Sequence, residues 1–239
     1  MEDIIFNRDT FDDLIYDGSS FVPAVTPVAV LETKDGLVIS SNKAISFMLP
    51  VEYEKVPYLQ VSGTQFINTG FVPTTSFKHV LTFEVTSNAN SNKYICGTGV
   101  NEGRSGNLRV SSNTLNGLYI GTSSAVSIIS TQTISLNTKY TIIMDLYQNA
   151  TNTVQLNGTD IANTNKSTVS STKQLQLFAL SSSYFPTGVR IYSSLIRQNG
   201  HLVYYLIPAR RKSDQVLGMY DLIQSRFLTN AGSGSFITE

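Results

Sequence analysis

The feature of this 239-residue chain that most constrains its fold is an alternation of apolar and polar residues that begins near Tyr58. In residues 77–85, apolar side chains occupy most odd positions, and Lys78, Thr82 and Glu84 lie between them. Because successive side chains of a strand point to opposite faces, this spacing predicts a strand with one buried face. The same spacing recurs at residues 140–146, 175–179, 189–195 and 202–206. No ten-residue stretch after Tyr58 has the spacing of an amphipathic helix, so the sequence predicts an all-β domain.

Asn-Gly dipeptides separate several of the predicted strands. They occur at residues 116–117, 157–158 and 199–200. Such dipeptides favour two-residue hairpin turns, because Asn and Gly tolerate positive φ. Many short strands with frequent turns indicate a two-sheet antiparallel sandwich or jelly roll.

Composition narrows the classes of function. The chain has 17 basic and 17 acidic residues, so its net charge of zero provides no general attraction to nucleic acid or to an anionic membrane. No apolar run approaches the ~18 residues of a membrane-spanning helix. The single cysteine excludes a disulfide framework, and with only two histidines it cannot complete a structural zinc site. We therefore expect no metal, no cofactor, and neither nucleic acid nor membrane as a partner.

The charges are divided unevenly along the chain. Residues 1–55 contain ten carboxylates and four basic residues, whereas residues 56–239 contain seven and thirteen. We predict that residues 1–55 are an N-terminal arm for docking or oligomerisation and that residues 56–239 form one domain. Pro50 and Pro57 bracket the predicted linker between them. The candidate docking residues of the arm combine apolar and acidic side chains, and they are Ile5, Phe6, Asp9, Asp12, Asp13, Leu14, Ile15 and Asp17.

Two segments resemble a known family. Residues 58–70, YLQVSGTQFINTG, resemble the opening strand pair YLxSxGTQYIxTG of concanavalin A-like (laminin-G-like) jelly-roll domains. Residues 177–237 resemble the closing half, and the matching pieces are LFAL at 177–180, RIY at 190–192, LIPARR at 206–211 and GMYD at 218–221. Such domains are common in phage virion proteins and gut-bacterial surface proteins. The resemblance implies a concanavalin A-like two-sheet jelly roll preceded by the arm, and its motifs are scaffold rather than active site.

Candidate catalytic residues are few. Retaining glucanases of this fold class carry a Glu-x-Asp-x-x-Glu motif that places two carboxylates ~5–5.5 Å apart, and this chain has no such motif. Glu84 and Asp145 could meet across strands, but solvent-facing carboxylates are the commoner outcome. Cys96 could be a nucleophile with His79 or His201 as its base, but a thiol in an alternating strand is more often buried and inert. We therefore expect no catalytic residues and no enzymatic activity.

Carbohydrate binding needs an aromatic platform and polar groups that replace the hydration of sugar hydroxyls. The chain has no tryptophan. Four of its other aromatic residues fall at predicted loops or strand ends, where they could contact a ligand or another subunit, and they are Tyr119, Tyr147, Tyr184 and Phe185. A calcium site is not predicted, because no cluster of Asp and Asn stands out.

The leading interpretation is a non-enzymatic phage virion protein at the particle surface, either a head fibre or capsid decoration or a tail-associated component. The arm would bind other virion proteins and anchor the displayed jelly roll, in a homo-oligomer. Arg210 and Arg211 begin the densest basic run, which would suit contact with the acidic arm of another copy. The alternative is a carbohydrate-binding adhesin module that recognises a host surface glycan. A third possibility, a glycoside hydrolase, requires two carboxylates in one cleft.

Overall fold

A computed structural model of the chain describes residues 49–73, 76–87, 93–99, 106–110, 132–147, 152–164, 171–180 and 185–239, and the backbone of a few further strands. Every regular element in this described part is a β-strand, and no helix there is long and apolar enough to cross a membrane. The N-terminal segment contains β1 (Leu14–Tyr16), β2 (Phe21–Pro23), β3 (Ala29–Glu32) and β4 (Val38–Ser41).

The strands that follow residue 49 are β5 (Tyr53–Lys55), β6 (Leu59–Val61), β7 (Ile67–Asn68), β8 (Ser76–Val85), β9 (Lys93–Gly97), β10 (Asn107–Val110), β11 (Leu118–Gly121), β12 (Ser127–Ile129), β13 (Lys139–Tyr147), β14 (Asn152–Leu156), β15 (Thr159–Thr164), β16 (Gln176–Leu177), β17 (Val189–Gln198), β18 (His201–Arg211), β19 (Leu217–Asp221) and β20 (Arg226–Thr229).

These strands form two antiparallel sheets that pack face to face. The larger sheet has ten strands in the order β15-β14-β13-β8-β17-β18-β19-β20, with β5 beside β18 and β6 beside β17. The smaller sheet has six, in the order β12-β11-β10-β9-β16-β7. At the lateral edges β7 lies next to β20 and β12 lies next to β15, so the two sheets enclose one core. The predicted all-β, two-sheet antiparallel sandwich is confirmed.

The core is the apolar layer between the two sheets. Leu81 and Ile142 are cross-strand neighbours in the larger sheet, and Leu177, Cys96 and Leu108 form one row of the smaller sheet. All five side chains are fully buried. Burying a side chain the size of leucine contributes about 1.5–3 kcal/mol. The alternation in the sequence therefore identifies the residues that hold the sheets together.

The outer face of β8 differs from the prediction. Thr82 and Glu84 point away from the core, but they are only 3% and 6% exposed. Thr82 Oγ1 lies 3.0 Å from Thr141 Oγ1, and Glu84 accepts a hydrogen bond from Arg190 at 3.2 Å. β8 lies between β13 and β17, so its outward polar side chains are covered by those of its neighbours. Buried polar groups need such partners.

Two of the predicted Asn-Gly turns are confirmed by backbone geometry. Asn157 and Gly158, with φ of 49° and 80°, join β14 to β15. Asn199 and Gly200, with φ of 51° and 82°, join β17 to β18. Positive φ at both central positions is what a type I′ hairpin turn requires. The third dipeptide, at residues 116–117, lies outside the described residues.

The segment predicted as a linker is joined to the larger sheet. β5 pairs with the second half of β18, and the register places Glu54 opposite Arg210. The Val56 N–H donates to the Pro208 carbonyl at 3.2 Å, and the Val56 side chain is buried. The sandwich therefore includes β5, which the predicted boundary between residues 55 and 56 left in the arm.

We predict that Gly232→Ala strongly destabilises the sandwich. A Cβ at Gly232 would lie 1.8 Å from the Thr64 carbonyl oxygen, and no rotamer change relieves a contact with backbone. The segment around it is joined to the residue that precedes β7, because the Ala231 N–H donates to the Phe66 carbonyl at 2.9 Å. We expect the free energy of unfolding, measured by urea denaturation, to fall by about 3 kcal/mol or more.

Gly200→Ala is the matched control. A Cβ at Gly200 would meet no atom within 4 Å, so only the φ of +82° opposes the substitution, and the expected cost is about 1 kcal/mol. Equal losses in the two variants would show that the contact with Thr64 is not a constraint on the fold.

Candidate functional site

The structure brings the predicted thiol and one of its predicted bases together inside the core. Cys96 Sγ on β9 lies 3.9 Å from His79 Nδ1 on β8, and His79 Nε2 lies 2.9 Å from Ser194 Oγ on β17. All three residues are fully buried. His201, the other predicted base, begins β18 and is exposed.

Burial makes this pair chemically inert. It raises the pKa of the Cys96 thiol to about 12 and lowers the pKa of His79 to about 3. Both groups are therefore neutral at pH 7, although a thiolate is the form of cysteine that acts as a nucleophile. The pair is a core contact in which Ser194 satisfies the imidazole.

The register of β8 and β13 keeps the two candidate carboxylates apart. Asp145 lies opposite Lys78, which is six positions along β8 from Glu84, a separation of about 20 Å. Each carboxylate has its own cation: Asp145 pairs with Lys78 at 3.0 Å, and Glu84 pairs with Arg190 at 3.2 Å. The predicted meeting of Glu84 with Asp145 across strands does not occur, because they belong to different ends of the ladder.

Asp221 is a buried carboxylate that accepts hydrogen bonds from the backbone. It is fully buried at the end of β19, and its Oδ1 accepts hydrogen bonds from the backbone N–H groups of Tyr205 at 3.2 Å and Ile223 at 3.1 Å. Burial raises the pKa of Asp221.

No group of three or more His, Cys, Asp or Glu within the described residues could hold a metal ion.

Tyr94 and Arg109 lie on the outer face of the six-stranded sheet. The register of β9 and β10 shifts so that Cys96 lies opposite Leu108 but Tyr94 lies opposite Arg109. Ile95 and Cys96 are both fully buried, and this irregularity allows Tyr94 to point outward. Both Tyr94 and Arg109 are half-buried, and Arg109 Cζ lies 5.7 Å from the centroid of the Tyr94 ring. The two side chains make a cation–π contact on the side away from the core.

Tyr119 occupies the next position in this row. β11 pairs with β10 so that Tyr119 lies opposite Arg109. The backbone therefore aligns Tyr94, Arg109 and Tyr119 across three neighbouring strands. Of the aromatic residues predicted to contact a ligand, Tyr119 is the one that the register brings to this row.

Amide side chains form a second row on the same face. Gln176 lies opposite both Asn68 and Gly97, and its Nε2 donates to Asn68 Oδ1 at 2.9 Å. Asn107 Oδ1 accepts a hydrogen bond from the Thr98 N–H at 2.8 Å. Gln176 and Asn107 are buried, whereas Asn68 is half-buried. Asn68 is therefore the amide in this row that a ligand could reach.

On the outer face of the larger sheet, polar and aromatic side chains bind one another in a network. Arg190 donates to Glu84 at 3.2 Å and to Gln60 Oε1 at 2.7 Å, and its guanidinium carbon lies 4.2 Å from the centroid of the Tyr58 ring. The Tyr192 hydroxyl donates to the second Glu84 oxygen. Burial, together with the Glu84 carboxylate, raises the pKa of Tyr192. These side chains bind one another across β6, β17 and β8, so they stabilise the sheet.

The other predicted ligand residues are not part of the row that contains Arg109. Phe185 packs against Phe66 with a ring-centroid distance of 5.8 Å, at the edge of the core. Tyr147 ends β13, in the larger sheet. Tyr184 lies outside the described residues.

The predicted basic contact residues are engaged within the chain. Arg210 Nη1 donates to Glu54 Oε1 at 2.8 Å. Arg211 donates to both carboxylate oxygens of Asp214, at distances from 2.6 to 3.2 Å. The acidic arm of another copy would have to compete with these two carboxylates.

The candidate docking residues of the arm fall in the N-terminal segment. Leu14 and Ile15 are in β1, where only the backbone is described. The others lie outside the described residues, and they are Ile5, Phe6, Asp9, Asp12, Asp13 and Asp17.

No family model and no curated protein matches the chain by sequence. A solved structure of a proposed carbohydrate-binding protein from Bacteroides ovatus is similar over 77% of this chain, with 11% identity and a TM-score of 0.56. The chain spans only 60% of that protein's length. The likeness between the two is one of fold.

Two further solved structures have lower TM-scores when compared with this chain. The CBM40 of a Ruminococcus gnavus IT-sialidase, solved with α2,3-sialyllactose, has 11% identity and a TM-score of 0.45, over 63% of this chain and 92% of that one. A galectin from Caenorhabditis elegans has 14% identity and a TM-score of 0.39, over 62% of this chain and 96% of that one.

We predict that His79 makes the folded chain less stable as the pH is lowered. The folded chain keeps His79 neutral down to about pH 3, whereas the unfolded chain protonates it below its ordinary pKa of about 6.5. Between the pKa of His79 in the folded chain and its ordinary pKa, the unfolded state binds one more proton than the folded state does. The free energy of unfolding should therefore fall by about 1.4 kcal/mol per pH unit from this group as the pH is lowered.

The two histidines provide a matched pair of variants for this test. Urea denaturation across the same pH range should show that His79→Gln removes this part of the slope. His201→Gln, which replaces the exposed histidine, should keep the part of the slope that His79 contributes. A slope in His79→Gln equal to that of the parent chain would contradict the prediction.

We also predict that Cys96 does not react in the folded chain. Because the thiol is fully buried and its pKa is about 12, dithionitrobenzoate should label no thiol at neutral pH, and should label one per chain in urea. Labelling of the folded chain faster than global unfolding would show that the core opens locally around β9.

Proposed function

We propose that this chain is a non-catalytic carbohydrate-binding module and that the glycan binds on the outer face of its six-stranded sheet. The observation that carries the proposal is the contact between Arg109 and the ring of Tyr94 on that face. The fold shared with a proposed carbohydrate-binding protein supports it. Small ligands bind where aromatic side chains lie beside a few polar groups that fix the orientation of the ligand.

The residues of this face have the chemistry that sugar recognition requires. The Tyr94 ring offers an apolar surface to the C–H groups of a sugar ring. Arg109 carries five N–H donors in a fixed plane, which suit hydroxyl and ring oxygens. Asn68 offers amide N–H donors on the same face, while its Oδ1 accepts from Gln176 at 2.9 Å. Tyr119 extends the row of Tyr94 and Arg109 by one strand.

The positions of four carboxylates support binding without hydrolysis. A glycosidase needs two carboxylic groups within ~10 Å of each other at the bond it cleaves. In the described part of the sandwich, Glu84, Asp145 and Asp214 each bind a cation of the same chain. Asp221 is buried and caps a turn. None of these four side chains lies in the row of Tyr94.

A particle-surface adhesin would unite glycan binding with the sequence resemblance to phage virion domains. An anchoring arm at residues 1–55, virion proteins as its partners, a homo-oligomeric state and a location on a virion all stay predictions. The resemblance of residues 58–70 and 177–237 motivates them. The glycan-binding role does not depend on them.

The proposal predicts that Tyr94→Ala weakens glycan binding. On a glycan array, the parent chain should retain a defined set of oligosaccharides. For the best of these, calorimetric titration should show a loss of affinity of about tenfold or more in Tyr94→Ala, equivalent to about 1.4 kcal/mol. Arg109→Ala should give a loss of similar size.

Tyr192→Ala is the matched control. Tyr192 is also half-buried on an outer face and also lies beneath a cation, with Lys139 Nζ 4.3 Å from its ring centroid. It belongs to the other sheet, so its removal should leave glycan affinity unchanged. The proposal fails if the array shows no binding, or if the Tyr94 and Tyr192 variants bind equally well.

A further inference from the structure

A second apolar cluster lies on the outer face of the larger sheet, apart from the core. Its centre is Ile207, Ala209 and Tyr220, which are 8%, 0% and 5% exposed. Half-buried apolar side chains surround this centre, and they are Leu49, Tyr53, Tyr205, Leu222 and Phe227. We call these eight residues the outer patch.

The strands beneath the outer patch are apolar on both faces. Ile207 lies opposite Tyr220, and Tyr220 lies opposite Phe227, so an apolar row crosses β18, β19 and β20. The Tyr53 ring packs against the Tyr220 and Phe227 rings with centroid distances of 4.9 Å to each. Met219, beside Tyr220, belongs to the core. A sheet with one face in water alternates apolar and polar residues, so this arrangement indicates a covered surface.

Charged residues border the outer patch. Arg210 pairs with Glu54 at 2.8 Å, and Arg211 lies over Phe227 with its Cζ 5.5 Å from the ring centroid. Val51, just before β5, is 79% exposed. An aromatic centre with a polar rim that contains arginine has the composition of a protein–protein interface.

The segment that precedes the sandwich joins it at this surface. Leu49 belongs to the outer patch, and 48 residues precede it in the sequence. β1 and β2 form a hairpin that pairs with no other described strand. A two-stranded hairpin alone is marginally stable in water and needs an apolar surface. Residues 1–17 also hold six carboxylates and one arginine, and at the rim these carboxylates would compete with Glu54 and Asp214 for the two arginines.

We propose that residues 1–23, which include β1 and β2, dock on the outer patch of the same chain. Residues 24–48 connect the two, and β3 and β4 within them pair so that Ala29 lies opposite Ser41. The twelve residues outside this hairpin can still span about 40 Å. The apolar residues predicted to bind another protein would then be buried within the chain. The proposal is independent of glycan binding, because the outer patch and Tyr94 belong to different sheets.

A spin label on the N-terminal segment tests the proposal in the full chain. Ser19→Cys places a thiol between β1 and β2, while the buried Cys96 should stay unlabelled. A nitroxide at residue 19 should broaden the amide signals of Ile207, Tyr220 and Phe227 in the isotope-labelled chain. The amide signals of β13 and β14 should be unaffected.

A mixed sample separates the same chain from a second copy. Isotope-labelled chain without nitroxide is mixed with unlabelled chain that carries it, and no broadening should appear. Broadening in the mixed sample would assign the segment to a neighbouring copy and overturn the proposal. So would a single-chain sample in which β18–β20 are unaffected.

Two further variants change the two sides of the proposed contact. Phe227→Asp alters the outer patch, and Ile15→Asp alters the segment without touching the sandwich. Each should abolish the broadening at Tyr220, and Tyr192→Ala, outside the outer patch, should preserve it. The amide spectrum of β8 reports whether each variant is folded. Broadening that survives Ile15→Asp in a folded chain would contradict the proposed contact.

Discussion

The rest of this structure depends on the burial of two apolar sheet faces against each other. In an all-β domain, this burial is the main stabilising contribution to the fold. It also decides the chemistry of the inner residues. His79 and Cys96 meet at 3.9 Å, but water is excluded around them, so both are neutral and unreactive. The thiol and imidazole that suggest catalysis in the sequence are therefore parts of the core.

The two outer faces use the same residue types in different ways. On the larger sheet the register places Glu84 opposite Arg190, and their ion pair links β8 to β17. On the smaller sheet the register places two tyrosines, at positions 94 and 119, opposite Arg109. The first arrangement joins strands of the larger sheet through an ion pair. The second places Tyr94 beside Arg109 in a row that Tyr119 extends, and this row is the proposed glycan face.

The outer patch divides the larger sheet into two regions. Around Arg190 the outward side chains are polar and bind one another, whereas over β18–β20 they are apolar and aromatic. If the N-terminal segment covers the second region, the chain presents mainly the smaller sheet and the polar part of the larger one to solvent. This division also explains why β18 shows weaker alternation than β8: a strand buried on both faces reads as a nearly continuous apolar run.

The sequence by itself determined the all-β class, the position of most strands and the two confirmed hairpin turns. Those features depend on neighbouring residues, since alternation and the positive φ of Asn-Gly are local properties. Only the tertiary structure decided that β5 joins the sheet, that Glu84 is buried, and that Tyr94 points away from the core. Regular alternation assigns Tyr94 and Cys96 to the same face, and the shift in pairing between β9 and β10 separates them. Each of these outcomes depends on which distant segment lies alongside, as Glu54 does with Arg210 across 156 positions, and the pattern within one strand contains no information about its neighbour.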